Sequence, residues 1–148
     1  MRVSRIPELI VITQQQWQEM ARYCEGEADI LGLYLYGSLG TAYQTPLSDV
    51  DLAVLPVAGP SWTWDRQVDV SIELSGIARS DDVNLINLRS VPVILQMRVL
   101  ETGRPRYIRD RVALADFVAG VIIRHADFSP DLEAFYRDWD TAIREEYL

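Results

Sequence analysis

A chain of 148 residues, 49% of them hydrophobic and 24% charged, has an ordinary globular balance and length enough for a real core. Its formal net charge is −8 and all 14 basic residues are arginine, which argues against a stand-alone nucleic-acid binder and fits a basic protein partner. The single cysteine, Cys24, excludes an internal disulfide and a cysteine zinc cluster, and the longest apolar runs are too short to span a bilayer. The expectation is therefore a cytoplasmic protein with no membrane segment, folded as one domain over residues 1–148.

The first element is a helix over "ITQQQWQEMARYCEG", where Trp17, Met20, Ala21 and Cys24 recur at helical spacing. Thr13 with Gln16 forms a capping-box signature, Gly26 is a stop signal, and Cys24 reads as a small core residue. "ILGLYLYG" is a short apolar run, as expected of a strand buried on both faces, and "VDLAVLPV" is a second. From about Ser61 to Arg79 the pattern Trp64, Val68, Ile72 and Ile77 predicts a helix. "VNLINL" reads as a third strand, and "PVILQMRVLETG" as a helix opened by Pro92 and closed by Gly103. A short extended piece at Arg106 to Ile108 precedes two helices, about Asp110 to His125 and Pro130 to Tyr147. The order predicts an α/β (α+β) fold: a small mixed β-sheet flanked by helices, core about 28–110, with a helical C-terminus about 110–147.

Chemistry concentrates in "YGSLGTAYQTPLSDVDLAVLP". A Gly-Ser at a strand end lets backbone approach a phosphate, and the following amides and the Ser38 hydroxyl can donate to its oxygens. Asp49 and Asp51, one residue apart on a strand, face the same way and offer the hard oxygens that Mg²⁺ prefers. Together they describe a site for a metal–nucleoside triphosphate.

Gly37-Ser38, ten residues, then Asp49-Val50-Asp51 resembles the signature of the nucleotidyltransferase superfamily of DNA polymerase beta type. "LYLYGS", "SDVDLAVL", "DVNLINLRS" and "RVLETGRPRYIRD", in that order, are similar to the minimal nucleotidyltransferase (MNT) antitoxins paired with HEPN toxins. The resemblance covers roughly residues 30–110. It implies the nucleotidyltransferase fold, a nucleotide site at Gly37, Ser38 and Ser48, and Mg²⁺ held by Asp49 and Asp51. It further implies ATP as substrate, a HEPN-domain ribonuclease toxin as partner in a hetero-oligomer, and AMP transfer to a toxin tyrosine hydroxyl. Direct nucleic-acid binding is not expected.

Two departures bear on activity. The family's third carboxylate, placed by the resemblance on the next strand, corresponds to Asn84, which brings no charge and cannot accept a proton. Asp82, two residues earlier, is a candidate substitute or a strand-entrance residue. The turn also lacks the usual arginine, having Leu39, Gly40, Thr41 and Ala42, so triphosphate charge must be met by metal, amides or an arginine such as Arg66 or Arg89. These departures keep open an antitoxin that acts by binding alone, beside the less favoured small-molecule (aminoglycoside-type) nucleotidyltransferase.

Other residues carry blander readings. His125, the only histidine, suits a helix C-terminus, and no arginine stands before it at the spacing of a HEPN ribonuclease motif, so the chain is not the toxin. Trp62 and Trp64 read as core or interface residues. Leu132, Phe135, Tyr136, Trp139 and Ile143 form one apolar face that finishes the core or docks on a partner.

Overall fold

A computed structural model of the chain describes residues 9–127, 137–138 and 140–141. Helix α1 (Gln14–Glu25) opens with the predicted capping box: Gln16 donates its backbone N–H to the Thr13 hydroxyl, and Thr13 donates its own to Gln16 Oε1 at 2.7 Å. Its buried face is Trp17, Met20 and Cys24, and burial pushes the Cys24 thiol up to about 12, so it is a core residue and not a nucleophile.

Strands β1 (Ile30–Tyr36) and β2 (Val50–Pro56) are antiparallel, and each is buried almost throughout, in keeping with runs that are apolar except for Asp51. A bulge between Ile30 and Gly32 resets the alternation of β1. Ile30, Leu33 and Leu35 join Val50, Leu52 and Val54 under α1 and α2, whereas Leu31 and Tyr34 join Ala53 and Leu55 in a second core on the other face.

Helix α2 (Trp64–Ala78) is capped by the Thr63 hydroxyl, which accepts from Arg66 N, and closes at Arg79 in the left-handed conformation. Its extent matches expectation, and its inward face is mostly a different set from the residues whose spacing announces the helix. The buried residues are Gln67, Val70, Leu74 and Ala78, while Trp64 and Ile72 are 77% and 64% exposed. Gln67 replaces an apolar residue in the core because both ends of its amide are used, Nε2 donating to Leu85 O and Oε1 accepting from Trp62 Nε1, each at 2.8 Å. Trp62 thus packs against the core as expected, and Trp64 does not.

Strand β3 (Val83–Asn87) runs parallel to β2, helix α3 (Val93–Thr102) follows Pro92, and strand β4 (Arg104–Ile108) returns antiparallel to β1. The mixed sheet has the order β3-β2-β1-β4, an α+β arrangement of the predicted kind. Helix α4 (Arg111–Asp127) packs with α3 over the second core through Phe117 and Val121. Arg109 ties the end of α1 to the sheet, donating to the carbonyls of Cys24, Glu25, Glu27 and Ile30. The predicted apolar face of the last helix (Leu132, Phe135, Tyr136, Trp139, Ile143) lies outside the described residues. Among the described residues no helix is long and apolar enough to cross a membrane.

Candidate active site

Three strands deliver the candidate residues to one end of the sheet. β1 ends at Tyr36, β2 starts at Val50, and β3 starts at Val83. Register then decides which side chains meet. Asp51 pairs with Tyr36 on one side and with Asn84 on the other. Asp51 alternates with Val50 and Leu52, which point into the core under α1 and α2, so it faces the opposite side, as Asn84 does between Val83 and Leu85. The Asn84 amide nitrogen stands 3.5 Å from Asp51 Oδ1. Asp49 lies one residue before β2, shares the parity of Asp51, and is exposed.

Gly37 has φ +79°, in the left-handed region, and the space beside its Cα is filled by Asp51. A Cβ there would overlap Asp51 Oδ2 and lie 3.1 Å from its Cγ, so only glycine admits the carboxylate this close to the turn. Ser38 donates from Oγ to Ser48 Oγ at 2.9 Å, and Ser48 Oγ also accepts from Thr45 N at 2.9 Å. The two serines that bound the ten-residue spacer therefore close it into a loop. Inside it, Thr41 donates to Ser38 O, and Gly40 N donates to Gln44 Oε1 at 2.8 Å. Gln44 in turn is anchored on Ile10 O at 2.7 Å.

Burial raises the pKa of Asp51; the Asn84 amide opposes that shift, and the nearby charge of Asp49 adds to it. Tyr36, pushed up to about 12 by burial and by Asp51, stays protonated at neutral pH. The two carboxylates repel each other, and among the described residues neither pairs with an arginine. Hard oxygens, like charge and partial burial make a donor set that fits Mg²⁺.

For an acid whose folded pKa is raised, the ionised form is the one folding disfavours, so the cost is absent below the unfolded value, grows as pH rises from the unfolded to the folded value, and is fully present above it. Asp51→Asn should thus raise the thermal midpoint at pH 7 without divalent cation. The gain should vanish near pH 3, and differential scanning calorimetry across that range checks it.

The arginines proposed to serve the turn are engaged elsewhere. Arg66 makes a bidentate pair with Asp29, both bonds 2.8 Å, and reaches Glu27 at 3.2 Å, beside the start of β1. Arg89 donates Nε to Pro56 O at the end of β2 and sits 5.1 Å from the Phe117 ring. Both lie at the end of the sheet away from Asp51. Asp82 is exposed ahead of β3, its carbonyl accepting from Val50 N.

The cation that does reach the loop is Arg104. It pairs with Leu35 in β4, and its Nη2 donates to Leu39 O at 2.5 Å. Its Nη1 lies 3.2 Å from where a Cβ on Gly40 (φ +73°) would stand. Arg104 pairs with no carboxylate among the described residues. Its proximity depends on β4 pairing with β1 across some 65 residues, which no local pattern announces.

The profile of the family described as Polymerase beta, Nucleotidyltransferase matches residues 18–112, which include every residue of this site. The chain belongs to that nucleotidyltransferase family. Among solved structures, it is similar to a chain of a toxin–antitoxin crystallised with AMP-PNP, at 22% identity and TM-score 0.64, covering 86% of this chain and 98% of that one. A chain of the MntA-HepT toxin–antitoxin matches at 20% identity and TM-score 0.62, over 85% and 97%. A chain of the tri-AMPylated Shewanella oneidensis HEPN toxin in complex with MNT antitoxin matches at 22% and 0.61, over 86% and 98%. At these identities the likeness is one of fold. No curated protein matches the chain.

Proposed function

We propose that this nucleotidyltransferase is a cytoplasmic antitoxin that binds a HEPN ribonuclease in a hetero-oligomer and transfers AMP from ATP to a tyrosine hydroxyl of that partner. The observation that carries the reading is the packing of the Asp51 carboxylate into the space a side chain at Gly37 would need, beside a loop closed by Ser38 and Ser48. The complexes above, one with AMP-PNP and one with an AMPylated toxin, support nucleotide and partner.

In this reading Asp49 and Asp51 hold Mg²⁺, which when bound supplies charge neutralisation at the phosphates. Gly37, Ser38 and the loop amides receive the triphosphate, and Ser48 fixes the loop. Arg104, which among the described residues gives one N–H to Leu39 O, supplies the positive charge that the loop itself lacks. The tyrosine oxygen bonds to the α-phosphorus and pyrophosphate leaves. Asn84 cannot take the hydroxyl proton, which passes to water.

That last point gives the second reading its footing: an antitoxin that neutralises by binding alone. The Asn84 amide, set against Asp51 Oδ1, favours it, since a positioned base is worth about 10²- to 10⁴-fold. The test is an intact mass of the HEPN partner after incubation with this protein, ATP and Mg²⁺. Addition of AMP that disappears with Asp49→Ala/Asp51→Ala is the expected result. A stable, ribonuclease-silent complex without added mass leaves the binding reading instead.

A further inference from the structure

We propose that the outer face of α2 is a docking surface for a basic amphipathic helix of the protein partner. The helix carries two stripes at the same spacing. Trp64, Val68 and Ile72 stand at i, i+4 and i+8 and form an apolar ridge, 77%, 37% and 64% exposed. Asp65, Asp69 and Glu73 follow each of them by one residue and form an exposed acidic ridge along its flank.

A single exposed apolar residue needs no explanation, but three aligned along two helical turns, with a tryptophan at the head, make a continuous patch. The stripe is regular enough to announce the helix in the sequence, yet α2 buries Gln67, Val70, Leu74 and Ala78 instead. The helix is therefore apolar on two faces, and among the described residues only one is packed.

The acidic flank specifies the occupant. Arg66, the cation of the first turn, is turned inward onto Asp29 and Glu27, and among the described residues no arginine pairs with Asp65, Asp69 or Glu73. The other flank is Ser71 and Ser75, and Gly76 continues the apolar ridge; all three are small and uncharged, which lets a partner backbone approach. A helix with its own apolar stripe and an Arg/Lys row beside it satisfies both ridges. At the head of the patch, Trp62, Trp64, Leu85 and Val91 border an open groove of about 450 Å³, room for a large anchoring side chain.

The placement also has a direction. α2 climbs from Trp64 to Ala78, and the chain then enters β3 beside Val50, at the end of the sheet that carries Asp51. A partner helix laid along α2 runs toward the end of the sheet that carries Asp51, on the side opposite its carboxylate.

The surface rests on the antitoxin reading for the identity of the partner, and the experiment separates the two. The full-length HEPN partner is titrated by calorimetry with wild type, with Trp64→Ala/Ile72→Ala, and with Asp65→Arg/Asp69→Arg/Glu73→Arg. These side chains are exposed, and unchanged circular dichroism and thermal midpoints verify folding. The apolar pair should raise Kd about 100-fold or more, as loss of a tryptophan-centred anchor does. Charge reversal should weaken binding at low salt and remove the loss of affinity that added salt causes in the wild type. Wild type that fails to bind the partner overturns both the antitoxin reading and the surface. Wild type that binds, with both variants matching it, overturns the surface alone. Loss in the apolar variant with none on charge reversal overturns the basic helix as occupant. Self-association of the wild type through these residues, seen by light scattering, overturns it in favour of a second copy.

Discussion

Asn84→Asp should accelerate AMP transfer by about 10²- to 10⁴-fold, the contribution of a positioned base. The register makes the case. Position 84 sits directly opposite Asp51 on the neighbouring parallel strand, on the same side of the sheet, with its amide already 3.5 Å from Asp51 Oδ1. Exchange of amide for carboxylate changes almost no volume and adds a proton acceptor where the proposed reaction brings the acceptor hydroxyl. It also adds a third negative charge to a cluster that is already repulsive, since burial and Asp49 raise the pKa of Asp51. The variant should therefore unfold at lower temperature than wild type without divalent cation and regain the difference when Mg²⁺ is added. Rate is followed by the intact mass of the partner against time, and stability by calorimetry with and without Mg²⁺. A variant that gains cation-dependent stability but no rate would place the base elsewhere. A variant that gains neither would show that this end of β3 does not face the reacting groups.

How far the fold is legible from sequence depends on whether the signal is local. β1 and β2 are readable because strands covered on both faces must be mostly apolar, and the capping box of Thr13 and Gln16 is a four-residue pattern. The inward face of α2 is not legible, because periodicity ranks Trp64, Val68 and Ile72 above a set that includes Gln67. Only the contacts of Gln67 with Trp62 and Leu85 reveal why a polar residue belongs inside. At the candidate site, Gly37, Ser38, Ser48, Asp49 and Asp51 lie in one short stretch and share one pattern. Asn84 is reached through the neighbouring-strand block. Arg104 is not reached at all, because its approach to Leu39 O is created by the β1–β4 pairing. The guanidiniums proposed instead, Arg66 and Arg89, are drawn to the far end of the sheet by Asp29 and by Pro56 O.

Gly37→Ala should disable the site about as thoroughly as removal of Asp51 itself, and comparison with Gly40→Ala shows why. Both glycines adopt left-handed φ, +79° and +73°, so each alanine pays a similar backbone strain of about 1–2 kcal/mol. Alanine's stiffer unfolded chain returns about 0.4–1 kcal/mol of that. What differs is the neighbour. At Gly40 the new methyl meets only Arg104 Nη1, 3.2 Å away, the tip of a flexible side chain that can yield. At Gly37 it meets the Asp51 carboxylate, which is held on β2 between Tyr36 and Asn84 and can give way only by turning its oxygens out of the site. Both variants should lose a few degrees of thermal midpoint, since about 1 kcal/mol is worth roughly 2–4 °C in a chain of this size. Only Gly37→Ala should also lose Mg²⁺-dependent binding of AMP-PNP, by calorimetry, to the level of Asp51→Ala. Equal nucleotide affinity in the two variants would mean that the turn is conserving backbone shape alone, and that the approach of Asp51 to Gly37 is not what builds the site.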